Sequence, residues 1–293
     1  MGVQNINKRE VRPSMLFDAH THINHDEFTE RERAERIAEI ELSANIKYIA
    51  DIGFDLASSK MAADHAQQYD WCVAAVGFHP HDTKDMGEME LAMIRSLAAK
   101  SKVKAIGEIG LDYHYDLSPR DTQRQCFREQ IRLALDMELP IVIHSRDADQ
   151  ETMDILKEEG AFSKARKDSF PLRAVPGGWE SAAADARVML HCFSGSAELA
   201  EQYVRLGANI SIAGPVTYKN NKKTVRVADR IPPEFLFVET DAPFLAPEPF
   251  RGKPNRTPYI EHTARRVAVI KNMDYDEFAR TACSNAEVFY GLK

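Results

Sequence analysis

The chain has 293 residues, 44% of them hydrophobic, and is long enough to bury one large core, so we expect a single domain over residues 1–293. Its formal net charge of −7, from 38 basic and 45 acidic residues, argues against broad electrostatic adhesion to nucleic acid but leaves room for a local cationic site. The four cysteines have no C-x-x-C spacing and residues 1–14 have no apolar signal segment, which indicates a cytoplasmic protein without a disulfide framework or membrane span.

Eight short apolar runs with strand character follow one another along the chain. Segments between them, such as 31–42, 123–137 and 198–206, carry apolar residues at spacings of three and four, which predicts amphipathic helices. Strands that alternate with helices form parallel sheets through right-handed crossovers. Eight such repeats favour an α/β fold of the closed (β/α)8 TIM barrel type, over about residues 15–293, rather than an open doubly wound sheet. The predicted strands are 16–20, 48–52, 72–77, 103–108, 141–144, 188–191, 209–213 and 235–240.

Two connections depart from this regular pattern. After a predicted helix at 149–159, residues 160–187 are rich in Gly, Pro, Ser and Arg, which predicts an extended loop at the barrel bottom or along its outside. Because no predicted strand or ligand lies in that loop, we expect the fold to tolerate its deletion. Residues 243–258 are dense in proline and are predicted to pass over the barrel mouth.

Potential metal ligands end or directly follow five of the predicted strands. In a TIM barrel the active site lies at the C-terminal ends of the strands, where these side chains would meet. Imidazoles at i and i+2 of a strand point to one face, so the first two histidines can bind the same ion. Nitrogen and carboxylate donors together suit Zn²⁺, and the carboxylates also admit Mn²⁺ or Mg²⁺. The candidate ligands are His20, His22, Glu108, His144, His191 and Asp241.

A bridging carboxylate with nitrogen ligands on both sides is a common way to hold two divalent ions. One ion could be held by the first histidine pair and Asp241, the other by the last two histidines, with Glu108 serving both. For any single histidine, a hydrogen-bonded core position is the more frequent role, and Asp241 could merely cap a turn before Pro243. His79, in Gly-Phe-His-Pro-His, could simply shape a turn. Four histidines that do not end a predicted strand are expected at surface or packing positions: His25, His65, His114 and His262.

Six separate motifs resemble the TatD family of metal-dependent hydrolases, in the same order from about residue 16 to the chain end. They are Phe-Asp-Ala-His-Thr-His (17–22), Gly-Phe-His-Pro-His (77–81), Gly-Glu-Ile-Gly-Leu-Asp-Tyr (107–113), Ile-His-Ser-Arg-Asp-Ala (143–148), His-Cys-Phe-Ser-Gly (191–195) and Glu-Thr-Asp-Ala-Pro-Phe-Leu (239–245). Shorter matches lie at 251–255 and 284–289. The stretch around 160–187 departs from the family pattern, where only a short link is expected.

The resemblance implies a TIM barrel with a two-metal site and a deoxyribonuclease activity often described as exonucleolytic. It also implies the same division of the ligands between the two ions, with Glu108 as the bridge. Arg146 and His79 would then lie near the substrate phosphate. The predicted enzyme is therefore a two-metal phosphodiester hydrolase, most simply a 3'-5' exonuclease acting on single-stranded or frayed DNA ends, with no obligate protein partner.

Within that hypothesis, Asp241 is the predicted general base, and Glu108 is the second predicted catalytic residue. The Arg146 guanidinium could bind phosphate oxygens or form a surface ion pair with Asp147 or Asp149, and Tyr113 could stack on a base or pack in the core. The basic run 219–226 could contact a nucleic-acid backbone or be a solvated surface. A hydrolase of a small amide, ester or lactone on the same barrel is the first alternative, and a non-catalytic metal- or partner-binding barrel is the second.

Overall fold

Eight parallel strands form one sheet whose strand order is the order of the chain, as predicted. The computed structural model describes residues 15–293, so residues 1–14, predicted to lack a signal segment, lie outside the described part. The sheet is nearly closed and alternates with helices, which confirms the (β/α)8 barrel. The strands are β1 (Leu16–Thr21), β2 (Ile46–Ile52), β3 (Cys72–Val76), β4 (Val103–Asp112), β5 (Ile141–Arg146), β6 (Val188–Leu190), β7 (Ala208–Ile212) and β8 (Leu236–Val238).

Ten α-helices lie among the described residues, and most follow a strand of the barrel. The four helical segments named from the sequence are all present, with ends that differ by three residues at most. The helices are α1 (Glu30–Leu42), α2 (Leu56–Gln68), α3 (Glu88–Ala98), α4 (Arg120–Asp136), α5 (Asp149–Glu158), α6 (Lys164–Asp168), α7 (Ala197–Arg205), α8 (Lys222–Arg230), α9 (Ile260–Lys271) and α10 (Tyr275–Phe289).

Local sequence explains where several helices begin and which side they bury. The Thr29 hydroxyl accepts a hydrogen bond from the Glu32 backbone N–H, and the Glu32 carboxylate accepts one from the Thr29 backbone N–H, a reciprocal cap that starts α1. In α4 the buried residues Phe127, Ile131 and Ala134 recur at spacings of four and three, so that one face packs on the barrel.

The barrel closes between its first and last strands just beyond the end of β8. The Asp241 N–H donates to the His20 carbonyl over 2.9 Å, and the His22 N–H donates to the Ala242 carbonyl over 2.8 Å. The same backbone contacts that close the barrel therefore place the first histidine pair against Asp241.

Two hydrophobic layers stabilise the barrel. One fills the space between the sheet and the surrounding helices, and the other fills the barrel interior with Phe17, Val142, Phe237 and neighbouring side chains. The end of α10 completes the interior layer, because Phe289 and Tyr290 are buried in it and the Tyr290 hydroxyl donates to the Ala19 carbonyl over 2.8 Å.

The connection at 160–187 is more ordered than the extended loop predicted from its composition. It contains the short helix α6 and a 3-10 turn at Glu180–Ala182. Arg166 donates to the carbonyls of Leu139 and Ala186, which lie two residues before β5 and β6. The segment thus packs against the bottom of the barrel, one of the two predicted positions. The buried guanidinium of Arg166 anchors it there, so the low apolar content of the segment did not reveal the packing.

Residues 243–258 pass over the mouth as predicted, and hydrogen bonds hold them there. The Asn255 side-chain amide donates to the Thr240 carbonyl over 2.7 Å, and the Asn255 N–H donates to the Pro243 carbonyl over 2.9 Å. Among residues 15–293, no helix combines the length and apolar character needed to cross a lipid bilayer.

Candidate metal centre

Four of the predicted ligands converge at the mouth around one point. His20 Nε2 lies 3.1 Å from His22 Nε2, 3.3 Å from Glu108 Oε2 and 3.7 Å from Asp241 Oδ1. His22 Nε2 lies 3.5 Å from the same Asp241 oxygen and 3.9 Å from the same Glu108 oxygen. Separations of this size are expected between donors that each lie about 2.0–2.2 Å from one zinc-like ion.

The other oxygen of Glu108 faces a second set of imidazoles. Glu108 Oε1 lies 2.8 Å from His191 Nε2, 2.9 Å from His144 Nδ1 and 3.6 Å from His79 Nε2. The two carboxylate oxygens thus point at different histidine groups, which is the arrangement that a bridging ligand requires. His79, predicted near the substrate phosphate, lies at ligand distance in this second group.

The protonation of His22 shows why these donors fit a cation. His22 Nδ1 is 2.8 Å from the Ile52 carbonyl oxygen, an acceptor only, so Nδ1 carries the proton and neutral His22 presents a lone pair at Nε2. That lone pair points at the Nε2 atom of His20 and at two carboxylate oxygens. Electron-rich atoms held this close without a cation would repel one another, so the donor set fits a divalent ion.

The electrostatics of the buried cluster favour neutral His20 and His79 and an ionised Glu108. Burial and the nearby His191 lower the pKa of His20 to about 4, and burial with the nearby His144 lowers the pKa of His79 well below its usual value. Burial would raise the pKa of Glu108, but His191, His79 and His20 hold it well below the ordinary range. Neutral imidazoles and an ionised carboxylate are the forms of these side chains that bind metal ions.

The other three histidines respond in the opposite direction. Burial opposes protonation of His22, but Asp241 and Glu108 raise its pKa. Burial opposes protonation of His191, but Glu108 and Glu239 raise its pKa well above the usual value. Burial likewise opposes protonation of His144, but hydrogen bonds to Asp112 and Glu108 raise its pKa. A divalent ion would take the place of the protons that these carboxylates attract.

Glycine positions in β4 allow the two halves of the site to approach. Gly110 has φ +149°, and a Cβ atom placed on it would lie 1.9 Å from the His144 carbonyl oxygen. The backbones of β4 and β5 therefore contact each other directly at this point. Only glycine permits the spacing that brings His144 to Glu108.

A second layer of carboxylates, which the sequence analysis missed, holds the imidazoles in place. Asp112 Oδ2 lies 3.0 Å from His144 Nε2 and 3.1 Å from His81 Nε2. Glu239 is fully buried, lies 3.3 Å from His191 Nδ1, and accepts a hydrogen bond from the Cys192 N–H. Both carboxylates stand near a predicted ligand in the same motif, which is the signal that could have identified them.

The structure brings one of the two remaining substrate candidates to the mouth. The Arg146 guanidinium lies 4.7 Å from the centre of the half-exposed Tyr115 ring and makes no ion pair among the described residues, so neither Asp147 nor Asp149 pairs with it. Tyr113 lies between helices instead, because its hydroxyl donates to Glu151 and accepts from Arg124. Tyr115, two residues later, is the aromatic side chain beside Arg146.

Asp241 adopts an unusual backbone conformation. Its φ of +56° lies in the left-handed region, which few residues other than glycine, asparagine and aspartate occupy. The carboxylate is 12% exposed and points at both histidines of the first group. The structure therefore combines the turn position predicted as an alternative with a carboxylate that faces both candidate ligands His20 and His22.

Comparisons with known proteins agree with this geometry. The sequence profile of the family described as TatD related DNase matches residues 17–291. The chain is 41% identical to the metal-dependent hydrolase YabD of Bacillus subtilis (strain 168), over 95% of this chain and all of that protein. The chain belongs to the TatD family of metal-dependent hydrolases. This confirms the predicted family and the predicted class of enzyme.

Two further relatives extend the comparison to a named activity and a solved structure. The 3'-5' ssDNA/RNA exonuclease TatD of Escherichia coli (strain K12) is 29% identical, over 94% of this chain and 99% of that protein. The crystal structure of YJJV, a TatD homologue from Escherichia coli K12, superposes with a TM-score of 0.80 and 25% identity, covering 95% of this chain and 98% of that chain.

Proposed function

We propose that this TatD-family protein hydrolyses phosphodiester bonds with two divalent metal ions and removes nucleotides from the 3' end of single-stranded DNA. The observation that carries the proposal is Glu108, whose two oxygens face two separate histidine groups. One ion would be held by His20, His22 and Asp241, the other by His144 and His191, and Glu108 would contact both.

Ions bound there would supply an activated water and would neutralise charge that develops on the phosphate during hydrolysis. The residues of the chain supply position and proton transfer. Asp241 accepts the proton of the attacking water, because its carboxylate lies at the mouth and is partly exposed. Arg146 donates two parallel hydrogen bonds to phosphate oxygens, a role for which its unpaired guanidinium is free.

Support for a nucleic-acid substrate comes from the mouth and from a relative. Arg146 and the neighbouring ring of Tyr115 offer a phosphate donor beside a surface for base stacking. The E. coli relative named as a 3'-5' ssDNA/RNA exonuclease matches this chain over 94% of its length. An acidic protein with charge −7 suits the entry of one strand end better than the wrapping of a duplex.

The test uses three DNA substrates and controlled metal content. Two linear single strands of the same sequence carry a label at the 5' or the 3' end, and the third substrate is a closed single-stranded circle. We expect a labelled mononucleotide first from the 3'-labelled strand, a progressive ladder from the 5'-labelled strand, and slow cleavage of the circle. Chelation should abolish all cleavage, and Mn²⁺, Mg²⁺ or Zn²⁺ should restore it.

Each part of the proposal can fail separately. Equal rates on circular and linear strands would indicate an endonuclease, and early loss of a mononucleotide from the 5' label would reverse the polarity. Full activity of protein shown by metal analysis to contain no divalent ion would remove the two-metal mechanism.

A second candidate function is the hydrolysis of a small ester, amide or lactone, and one observation favours it. Phe244 and Leu245, three and four residues after Asp241, are 48% and 39% exposed, which gives the mouth an apolar edge. Phe244 also packs edge-on against the His22 ring, with centroids 6.2 Å apart. Activity of the same metal-loaded preparation on aryl esters or lactones, without cleavage of any DNA substrate, would select this candidate.

A further inference from the structure

A cluster of unpaired cationic side chains lies beside the barrel mouth, on the outer face of α8 and α9. Lys219, Lys222, Arg226 and Arg266 are exposed and line a groove of about 510 Å³. No ion pair among residues 15–293 involves any of them, although the chain has more acidic than basic residues. Arg230, at the end of the same helix, is by contrast paired with both Glu198 and Glu201.

The start of α8 adds to the positive potential of this groove. Its first turn contains Lys222 and Lys223 and no acidic residue. The N-terminus of a helix already carries partial positive charge, so lysines there oppose helix stability instead of supporting it. The neighbouring helices α7 and α9 both carry a glutamate in the first turn. The charges at the start of α8 thus disfavour the isolated helix and favour a bound anion.

Tyr218 lies between this groove and the segment 243–258 that passes over the mouth. This residue follows the 3-10 turn Gly214–Thr217 that leaves β7 at the mouth, and its hydroxyl donates to the Ala246 carbonyl over 2.9 Å. The Arg251 guanidinium lies 4.3 Å from the centre of its ring.

The residues that line the groove fit the backbone of a flexible polyanion. Its polar lining includes Thr217 and Asn221, and Asp229 is the one carboxylate among the lining residues. Exposed lysine and arginine side chains along a groove bind successive phosphates without reading the base sequence. A strand that enters the mouth past Tyr218 would meet these cations beyond the reacting nucleotide.

We propose that the groove lined by Lys219, Lys222, Arg226 and Arg266 holds the sugar-phosphate backbone of a single-stranded nucleic acid whose end occupies the metal centre. The proposal rests on the proposed nuclease function and assigns the groove the role of binding substrate beyond the reacting nucleotide. The groove therefore affects long substrates and has no contact with the shortest ones.

The test compares two triple variants that each remove three positive charges. Lys219→Gln/Lys222→Gln/Arg226→Gln alters the groove, and Lys104→Gln/Lys157→Gln/Arg280→Gln is the control, from three other elements whose side chains also make no ion pair among the described residues. Steady-state kinetics are measured on a dinucleotide and on a single strand of about 12 nucleotides, a length within the range of single-strand binding sites. Binding of a fluorescent strand of the same length is measured in parallel as a function of salt.

We expect the groove variant to raise KM for the long strand on the order of tenfold at low salt, with kcat and all dinucleotide constants unchanged. The slope of log binding constant against log salt should become shallower by about 2, because each lost phosphate contact on a single strand contributes about 0.7. The control variant should match the parent protein in both measurements.

Three outcomes would overturn the groove assignment: an equal change for dinucleotide and long strand, an unchanged salt slope, or an equal loss in the control variant. Failure of the nuclease function gives a different result. In that case the parent protein cleaves neither substrate, and the assignment of the groove is then tested only by binding of the fluorescent strand. Tight, salt-dependent binding that the groove variant loses would support it, and absence of binding by the parent would refute it.

Discussion

Asp241 joins a left-handed backbone to a carboxylate that points at two imidazoles, so its backbone and its side chain can be tested apart. Asparagine tolerates the left-handed region about as well as aspartate and has nearly the same size. Replacement by asparagine therefore removes the negative charge and the proton acceptor while it preserves the turn before Pro243.

For Asp241→Asn we expect kcat to fall by about 10²–10⁴-fold, the usual range for loss of a general base, with the melting temperature close to that of the parent. Rates on single-stranded DNA, metal content and thermal melting are measured on one preparation. Asp147→Asn is the matched control, because Asp147 also has a left-handed φ of +53° and its side chain is 67% exposed. Retained activity in Asp241→Asn would leave Asp241 only its structural role in the turn.

Gly110 offers a test of how closely β4 and β5 must approach. In Gly110→Ala the added Cβ would meet the backbone oxygen of His144, which no side-chain rotation can relieve. We expect this variant to lose at least about 2 kcal/mol of unfolding free energy, within the upper range for single substitutions with backbone strain. Chemical denaturation measures the loss. Gly177→Ala should be neutral, because a Cβ there meets no atom within 4 Å, and equal stability of the two variants would contradict the argument.

At the residue scale, local sequence patterns identify the side chains that meet at the mouth better than the side chains that support them. His20 and His22 follow from a local spacing, and strand ends identify Glu108 and His144. The contact of Asp112 with both His81 and His144 depends on how three strands pair, which no local pattern contains. Tyr113 and Tyr115 are equally plausible as stacking residues until the direction of the loop after β4 is known.

At the scale of elements, the segment 160–187 shows what composition alone cannot reveal. Its Arg173 donates to the Asn209 side chain over 2.7 Å and pairs with Asp185 over 2.6 Å at the barrel bottom. Both partners are buried. The segment that its Gly and Pro content predicts to be dispensable thus donates a hydrogen bond to Asn209 at the start of β7, and we now expect its deletion to destabilise the fold.

Arg173→Met should lower the unfolding free energy by about 1–3 kcal/mol, because it removes one of the two arginines paired with the buried Asp185. Lys164→Met, in the same segment, should cost less than about 0.5 kcal/mol, since its partner Asp168 is exposed and pairs of this kind contribute little. Urea denaturation of both variants measures the difference. An unchanged unfolding free energy in Arg173→Met would show that this contact of the segment 160–187 does not stabilise the fold.

The element pattern itself was predictable because each strand and helix carries its own signal. Buried strands appear as short apolar runs, and helices show the three-and-four spacing of α4. The 3-10 turns and α6 carry too few residues for a period to show. Their positions depend on tertiary contacts such as that of Arg166 with Leu139 and Ala186.

At the scale of the whole molecule, Glu287 connects distant parts of the chain. It is 3% exposed on α10 and pairs with Lys47 of β2 and with the terminal Lys293. Burial would raise the pKa of Glu287, but the hydrogen bonds from Lys293 and Lys47 hold it below the usual value. A carboxyl with a lowered folded pKa stabilises the fold above its unfolded pKa of about 4.3, and this contribution is lost as pH falls through the folded value.

For Glu287→Gln we expect a loss of about 1–2 kcal/mol in unfolding free energy at pH 7, the range for a hydrogen-bonded charged group. The difference from the parent should shrink as pH falls below about 4, where the parent carboxyl also becomes neutral. Denaturation curves at several pH values give this difference directly. If the difference in unfolding free energy between parent and variant stayed constant down to the acid transition, the charge of Glu287 would not be the cause of that difference.

The closure of the barrel by β1 and the residues after β8 also has a consequence for how the protein is made in the cell. His20 and His22 leave the ribosome early in synthesis, whereas Asp241 and the Phe289–Tyr290 plug of the interior emerge near the end. A growing chain therefore exposes an unpaired first strand and an incomplete ligand set for most of its translation, a stage at which open strand edges invite association with other chains. A product truncated before Asp241 would therefore carry His20 and His22 without the carboxylate that faces them and without the buried Phe289 and Tyr290 side chains.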